Sequence, residues 1–138
     1  MNPFRLLRRL LFLIEYHLYA KPKLSKTNAI KLLGVSVSIP PTVFHPQLFF
    51  SSKILCEYLS TLELKGKDVL DMGCGSGVIS LLAASMGACV VAIDINPVAV
   101  TTTADNSRRN HLEQSVRAYQ GNLFEPITLD ESFDYIFF

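Results

Sequence analysis

A glycine-rich turn between two apolar segments constrains the fold of this chain more than any other feature. Residues 71–77 read DMGCGSG. The first two of them end a short apolar run at 69–72, and a longer apolar run follows at 78–86. Glycines in a strand-to-helix turn let the backbone bend tightly and approach a ligand closely, because they carry no β-carbon. The unpaired amides of the following helix can donate to the same ligand. The turn therefore predicts a binding site between a strand and a helix.

Strands and helices alternate from residue 68 onward. We predict strands over residues 69–72, 89–93, 116–119 and 133–138, and helices over residues 78–86 and 97–110. Continuous apolar strands that alternate with helices form a parallel sheet covered on both faces. The predicted class is α/β. The composition, with 49% hydrophobic and 18% charged residues, is typical of a packed domain.

Residues 32–67 carry a weaker pattern. Alternating Val and Ser at 35–39 predict a half-buried strand, and residues 43–50 have no regular period. The aromatic residues at 44–50 could cover a site or belong to the core. A helix is predicted from Ser51 or Ser52 to about Leu62, with one apolar face. We expect that face to contain Ile54, Leu55, Tyr58, Leu59 and Leu62.

The first 31 residues differ from the rest in charge. They hold seven basic residues and only Glu15 as an acid, so their net charge is +6, which leaves −5 for residues 32–138 of a chain with net charge +1. Phe4, Leu7, Leu11, Ile14 and Leu18 recur at the spacing of an amphipathic helix. We divide the chain into a basic helix and connector at 1–31 and a domain at 32–138. We expect the helix to dock on that domain; contact with an anionic membrane or RNA is the alternative.

Composition also argues against several classes of protein. The longest apolar run near the N-terminus covers residues 10–14, whereas a membrane span needs roughly 20 residues. Cys56, Cys74 and Cys89 cannot all pair with one another, which favours a reduced, cytoplasmic location. The three histidines stand apart without metal-ligand spacing, so no metal site is predicted. The overall charge gives no reason to expect a preference for DNA.

The glycine spacing identifies the ligand class. Gly73, Gly75 and Gly77 stand at every second position, whereas the dinucleotide fingerprint is G-x-G-x-x-G. Asp94 ends the next strand, where a carboxylate can accept hydrogen bonds from ribose hydroxyls. Asp71 would repel a pyrophosphate but suits the ammonium group of an amino-acid tail. The pattern favours S-adenosyl-L-methionine over NAD.

These motifs resemble those of the class I S-adenosylmethionine-dependent methyltransferases. VLDMGCGSG is similar to their glycine motif and AIDINPVAV to their ribose-binding segment. The residues DINP at 94–97, Asn106 and GNLF at 121–124 are most similar to the release-factor glutamine methyltransferase and small RNA base methyltransferase branch. The resemblance implies a Rossmann-like methyltransferase fold with parallel strands in the order 3-2-1-4. It also implies that Asn122 and Leu123 border the adenine.

The chain departs from that branch at three places. Asn122 replaces the usual aspartate, residues 44–47 read FHPQ where the branch has arginine-proline-glutamate, and the sequence ends at Phe138 before an asparagine-proline-proline-aromatic motif. We expect a fragment that is incomplete at its C-terminus and transfers no methyl group alone. No catalytic residue is assigned. The predicted cofactor-binding residues are Asp71, Met72, Gly73, Cys74, Gly75, Gly77, Asp94, Ile95, Asn122 and Leu123.

The resemblance implies that the full-length enzyme methylates a planar amine or amide nitrogen. The expected acceptor is a protein of translation, meaning a release factor or ribosomal protein, or an RNA. The alternative is a non-catalytic cofactor-binding or interaction module whose N-terminal helix contacts a membrane or RNA. We expect Cys74 to be a small buried residue and not a nucleophile. Asp134, at a strand start, is expected to bond local backbone amides.

Overall fold

The computed structural model describes residues 25–43 and 50–138, except the side chains of Phe50 and Ser51, and seven residues of the opening segment (Phe4, Leu7, Arg8, Leu11, Ile14, Leu18 and Lys21). The elements in chain order are β1 (Asn28–Leu32), β2 (Val35–Ile39), α1 (Phe50–Leu59), β3 (Asp68–Met72), α2 (Val78–Ser85), β4 (Cys89–Asp94), α3 (Pro97–Arg109), β5 (Val116–Gln120) and β6 (Tyr135–Phe137). The predicted irregular stretch at 44–49, with its aromatic residues, lies outside the described residues.

Four strands form a parallel sheet in the order β5-β4-β3-β6. This is the predicted order 3-2-1-4, so the α/β class and the topology are confirmed. Asp71 of β3 is paired with Ala92 of β4 and Phe137 of β6. Because the strands are parallel, their carboxyl ends lie at one edge of the sheet. The turns that follow β3 and β4 therefore meet there.

The core lies on both sides of the two central strands. Val69 and Leu70 of β3 and Val91 and Ile93 of β4 are at most 2% exposed. On one side α2 covers the sheet, and seven of its eight residues are buried. A helix that is apolar around its whole circumference is stable only when it is buried. The position of α2, directly after the glycine turn, is set by this requirement.

β1 was not predicted from the sequence. It forms an antiparallel hairpin with β2, turning at Leu33 and Gly34, which have φ values of 47° and 93°. Two positive φ angles are typical of the two-residue turns that match the twist of a hairpin. β1 crosses the predicted boundary between residues 31 and 32, and the division of the chain there stays a prediction.

Two asparagines of α3 attach the hairpin to the domain. The Asn106 amide accepts from the Ser38 N–H (2.9 Å) and donates to the Ser38 carbonyl (2.8 Å). Asn110 makes the same pair of bonds with Ser36, at 2.8 and 2.7 Å. Residues four apart on a helix face the same way, as do residues two apart on a strand. The two side chains therefore form hydrogen bonds with the backbone at the free edge of β2, in the way that a neighbouring strand would.

The apolar face predicted for α1 is only partly covered. In α1 the buried apolar residues are Cys56 and Leu59, whereas Ile54 and Tyr58 are 49% and 56% exposed. The helix ends at Leu59 and not at Leu62. α1 packs on α2, and its described residues that are buried form a narrower stripe than the apolar pattern.

The opening segment also differs from the prediction. Its described residues have helical backbone, but Phe4, Leu7, Leu11, Ile14 and Leu18 are 47–79% exposed. The expected docking of this apolar stripe on the domain is therefore wrong for Leu7, Leu11, Ile14 and Leu18. Within the described part of the chain, no helix is long and apolar enough to cross a membrane.

Asn106→Ala should lower the free energy of unfolding by about 3 kcal/mol, because buried backbone groups lose their partners. Asn110→Ala should cost about 1 kcal/mol, since its bonds to Ser36 lie at the surface. Equilibrium urea unfolding measures both, with Arg109→Ala on the exposed face of α3 as the control. Equal losses at positions 106 and 110 would contradict the assigned difference in burial.

Candidate functional site

The glycine turn combines tight packing with an open face. Gly73, Gly75 and Gly77 have φ values of 76°, 55° and 79°, a region that side chains other than glycine rarely adopt. A β-carbon on Gly77 would lie 2.8 Å from the side chain of Thr103, whereas one on Gly73 would meet nothing within 4 Å. Gly77 therefore serves the contact between the turn and α3. Gly73 faces the space in which a ligand can lie.

The backbone of the turn is held by groups from later elements. The amides of Gly73 and Cys74 both donate to the Ile93 carbonyl, at 2.8 and 3.0 Å. The Thr103 hydroxyl donates to the Gly75 carbonyl at 3.2 Å, and the Asn106 amide donates to the Ser76 carbonyl at 2.9 Å. Thr103 and Asn106 are fully buried. Sequence reasoning did not find these supporting roles, because no local spacing links residues about 30 positions apart.

Asp94 lies at the end of β4, as predicted, and its orientation is fixed. Its Oδ2 accepts from the backbone N–H of Gly75, and its Oδ1 accepts from the backbone N–H of Asn96, each at 2.9 Å. A carboxylate has about four acceptor positions, so each oxygen retains one for a further donor. The half-buried Asp94 thus ties the glycine turn to the start of α3 and still offers acceptors to a ligand.

Asp71 is a buried carboxyl group, only 4% exposed. Burial raises its pKa from 3.8 to about 6, against the opposing effect of hydrogen bonds from Ser80. The Ser80 hydroxyl and amide both donate to Oδ2, at 2.5 and 3.1 Å. Among the described residues, nothing donates to Oδ1. The carboxylate is therefore mostly ionised at neutral pH, with one oxygen left for a positively charged group.

Two adjoining cavities lie at this edge of the sheet and share Met72, Gly73 and Phe138. The first, of about 210 Å³, is lined by Asp71, Cys74 and Gly75 together with Ser52 and Leu55 of α1. The second, of about 180 Å³, is lined by Asp94, Ile95, Asn122 and Leu123. Nine of the ten predicted residues thus line one cavity or the other. Gly77, the tenth, packs on Thr103 instead.

The loop after β5 forms the outer wall of the second cavity. The backbone N–H of Asn122 donates to a Glu125 carboxylate oxygen at 2.9 Å. A β-carbon on Gly121 would lie 2.3 Å from the side chain of Pro126. Leu123 has a φ of 53° and is 53% exposed. An apolar residue held in the left-handed region beside a cavity is a costly arrangement that the surrounding loop must enforce.

Cys74 lines the first cavity, but its thiol is not suited to act as a nucleophile. Burial, and then the charge of Asp71, raises the pKa of the Cys74 thiol, whose sulfur lies 3.4 Å from the Thr103 hydroxyl oxygen. A neutral, buried thiol is a poor nucleophile, in agreement with the structural role predicted for it. No group of side chains suited to a metal ion occurs among the residues that were placed.

Asp134 has a structural role, but its partners were predicted incorrectly. Its Oδ2 accepts from the Asp68 amide at 2.9 Å and its Oδ1 from the Lys67 ammonium at 3.0 Å. These two bonds hold the pKa of Asp134 below its usual value. The amide belongs to β3 and is not local. Asp134 thus joins the start of β6, which begins at Tyr135, to the start of β3.

The parallel order β5-β4-β3-β6, the glycine turn after β3 and the carboxylate after β4 define the Rossmann-like fold of the class I methyltransferases. The Thermus thermophilus 16S rRNA N2 G1207 methyltransferase, solved with AdoMet and guanosine, aligns with a TM-score of 0.68 at 25% identity, over 80% of this chain and 31% of that protein. The Pyrococcus abyssi tRNA (uracil-54, C5) methyltransferase gives a TM-score of 0.63 at 20% identity, over 80% and 27% of the two chains.

Residues 52–137 match the family model of the ribosomal protein L11 methyltransferases (PrmA), and the chain belongs to this family. The Vibrio cholerae L11 methyltransferase is 45% identical over 88 residues, which cover 62% of this chain and 30% of that protein. The enzyme from Herpetosiphon aurantiacus is 39% identical over 85 residues, or 61% and 26% of the two chains. This chain spans less than a third of the length of these curated relatives.

The two glycines should differ when each is replaced by alanine. Gly77→Ala should lower the free energy of unfolding by about 2–4 kcal/mol, because left-handed strain adds to the clash with Thr103. Gly73→Ala has the strain but no clash and should cost about 1–2 kcal/mol. Urea unfolding of the two variants and of the unmodified chain measures the difference. A larger loss for Gly73→Ala would show that the packing was assigned to the wrong glycine.

Proposed function

We propose that this chain forms the cofactor-binding part of an S-adenosylmethionine-dependent methyltransferase whose full-length form methylates a component of the translation machinery. Membership of the L11 methyltransferase family supports the reaction class. A similar fold solved with AdoMet supports the cofactor. The observation that carries the proposal is the pair of carboxylates, Asp71 and Asp94, on the two sides of the glycine turn, each at its own cavity.

The two cavities suit the two ends of this cofactor. Asp71, with its free Oδ1, suits the ammonium group of the methionine end, and the open face of Gly73 leaves room for the chain between the ends. Asp94 would accept from both ribose hydroxyls. Ile95 and Leu123 offer apolar surface to the adenine, and Asn122 offers an amide oxygen as acceptor. When bound, S-adenosylmethionine supplies a methyl group on a positively charged sulfur.

A protein of the ribosome is the acceptor that we put first. The relatives with 39–45% identity carry the name ribosomal protein L11 methyltransferase. The DINP and GNLF segments favour a planar amine or amide nitrogen as the methylated atom, through the resemblance to the release-factor and RNA methyltransferases. A release-factor glutamine and an RNA base are the other acceptors consistent with that resemblance. We expect a location in the cytoplasm, where translation occurs.

Asp94→Ala should weaken S-adenosylmethionine binding by roughly 10- to 150-fold, or about 1.5–3 kcal/mol, the loss expected for hydrogen bonds to a charged group. Isothermal titration calorimetry on the 138-residue chain measures the affinity. Asp105→Ala, an exposed carboxylate on α3 whose partner is Arg108, is the matched control and should bind normally. No heat of binding with the unmodified chain, or unchanged affinity for Asp94→Ala, would contradict the proposal.

Asp71 should make stability and cofactor affinity respond to pH in opposite directions. Its native pKa, about 6, lies above its ordinary value of 3.8, so the native state binds more protons and its contribution to unfolding free energy rises as pH falls from 7 to 4. The full change is about 3 kcal/mol. Affinity for the cationic cofactor should fall over the same range, because it requires the carboxylate.

Asp71→Asn tests this prediction. The amide oxygen can still accept from Ser80, so at pH 7.5 the variant should be as stable as the unmodified chain or more stable, while it binds S-adenosylmethionine at least tenfold more weakly. The difference between the two proteins in urea unfolding, followed from pH 4 to pH 8, isolates Asp71 from the other carboxylates. A variant with normal affinity would exclude Asp71 as the partner of the ammonium group.

A further inference from the structure

Four apolar side chains described in the opening segment are exposed and are not among the residues that line the two cavities. Leu7, Leu11, Ile14 and Leu18 follow one another at steps of four, three and four residues, and they are 54%, 56%, 47% and 76% exposed. Spacing of this kind places side chains on one face of a helix. A continuous apolar face left in water marks an interaction site.

The charge of the same segment limits what can cover that face. Residues 1–31 carry seven basic side chains against one acidic side chain. Arg8, between Leu7 and Leu11 in the sequence, and Lys21, beyond Leu18, are both exposed. The partner must therefore accept an apolar stripe and offer negative charge at the same time. A nucleic acid would neutralise the arginines but leave the leucines in water.

We propose that residues 4–21, here called the amphipathic segment, bind the surface of a membrane that contains anionic phospholipids. Acyl chains would receive Leu7, Leu11, Ile14 and Leu18, and headgroup phosphates would pair with the flanking arginines and lysines. The segment lies on the membrane and does not cross it, because its longest apolar run is residues 10–14 and a span needs roughly 20 residues. This inference is independent of the proposed methyltransferase function.

Co-sedimentation with lipid vesicles tests the proposal. The 138-residue chain should bind vesicles of phosphatidylglycerol and phosphatidylcholine (equal parts) at least tenfold more tightly than vesicles of phosphatidylcholine alone. The binding should weaken with added sodium chloride, because exposed charges are screened, and should not disappear, because the apolar contact remains. Leu7→Asp/Leu11→Asp and Arg8→Glu/Arg9→Glu should each reduce binding to the mixed vesicles at least tenfold.

Two control variants make the same kinds of substitution outside the amphipathic segment. They show whether vesicle binding depends on where the substituted residue lies. Leu129→Asp replaces a fully exposed leucine outside the segment, and Arg109→Glu reverses an exposed charge on α3. Both should bind the vesicles like the unmodified chain. Calorimetry with S-adenosylmethionine on the segment variants should give the unmodified affinity, which shows that the domain is folded. Vesicle binding without any cofactor binding would count against the proposed function and leave this inference standing.

Three results would overturn the inference. One is no binding of the unmodified chain to either kind of vesicle. Another is binding to ribosomal RNA that is abolished by Arg8→Glu/Arg9→Glu and kept by Leu7→Asp/Leu11→Asp, when the leucine variant also binds vesicles as tightly as the unmodified chain. The third is a chain that does not bind vesicles and forms a dimer in sedimentation velocity, when Leu7→Asp/Leu11→Asp dissociates that dimer. A second copy of the segment would then cover the stripe.

Discussion

The glycine turn needs hydrogen-bond partners on its inner side, and the arrangement of the domain depends on where those partners come from. The Ile93 carbonyl accepts from two amides of the turn, Thr103 and Asn106 donate to its carbonyls, and Asp94 accepts from the Gly75 amide. All of these groups belong to β4, its carboxyl end or α3. Unpaired polar groups of a buried backbone are expensive. The turn can therefore keep its shape only when β4 and α3 are in place.

Asp71, in contrast to the groups that hold the turn, destabilises the folded protein when it is ionised. Burial raises the pKa of Asp71 to about 6. At neutral pH the carboxyl group is ionised, and this shift then lowers the free energy of unfolding of the cofactor-free protein by about 3 kcal/mol. An asparagine would keep the bonds from Ser80 without that cost. A buried carboxylate beside a cavity, with no donor to its Oδ1 among the described residues, agrees with the proposal that Asp71 binds a positively charged group. Stability is lowered at the point where a cofactor with an ammonium group would restore it.

Much of the fold and site follows from local patterns in the sequence. The strand order was implied by the resemblance to the class I methyltransferases. The positions of Asp71, Gly73 and Asp94 could be predicted from the residues, because each depends on a short segment between a strand and a helix. The bonds from Asn106 and Asn110 to β2 could not, since they join residues 68 to 74 positions apart. The exposure of Ile54 and Tyr58 was missed for a related reason: an apolar period predicts which residues share a face, and the neighbouring elements decide how much of that face is covered.

The hairpin β1–β2 shows how a part outside the family match is connected to the cofactor loop. The matched residues begin at 52, whereas the hairpin ends at Ile39. The Asn106 side chain nevertheless bonds Ser38 of the hairpin and Ser76 of the glycine turn through a single amide. This amide is fully buried, so a displacement of the hairpin removes its partners or moves the turn with it. The Asn106 side chain therefore links the hairpin directly to the glycine turn, and of these two parts only the turn carries a recognisable motif.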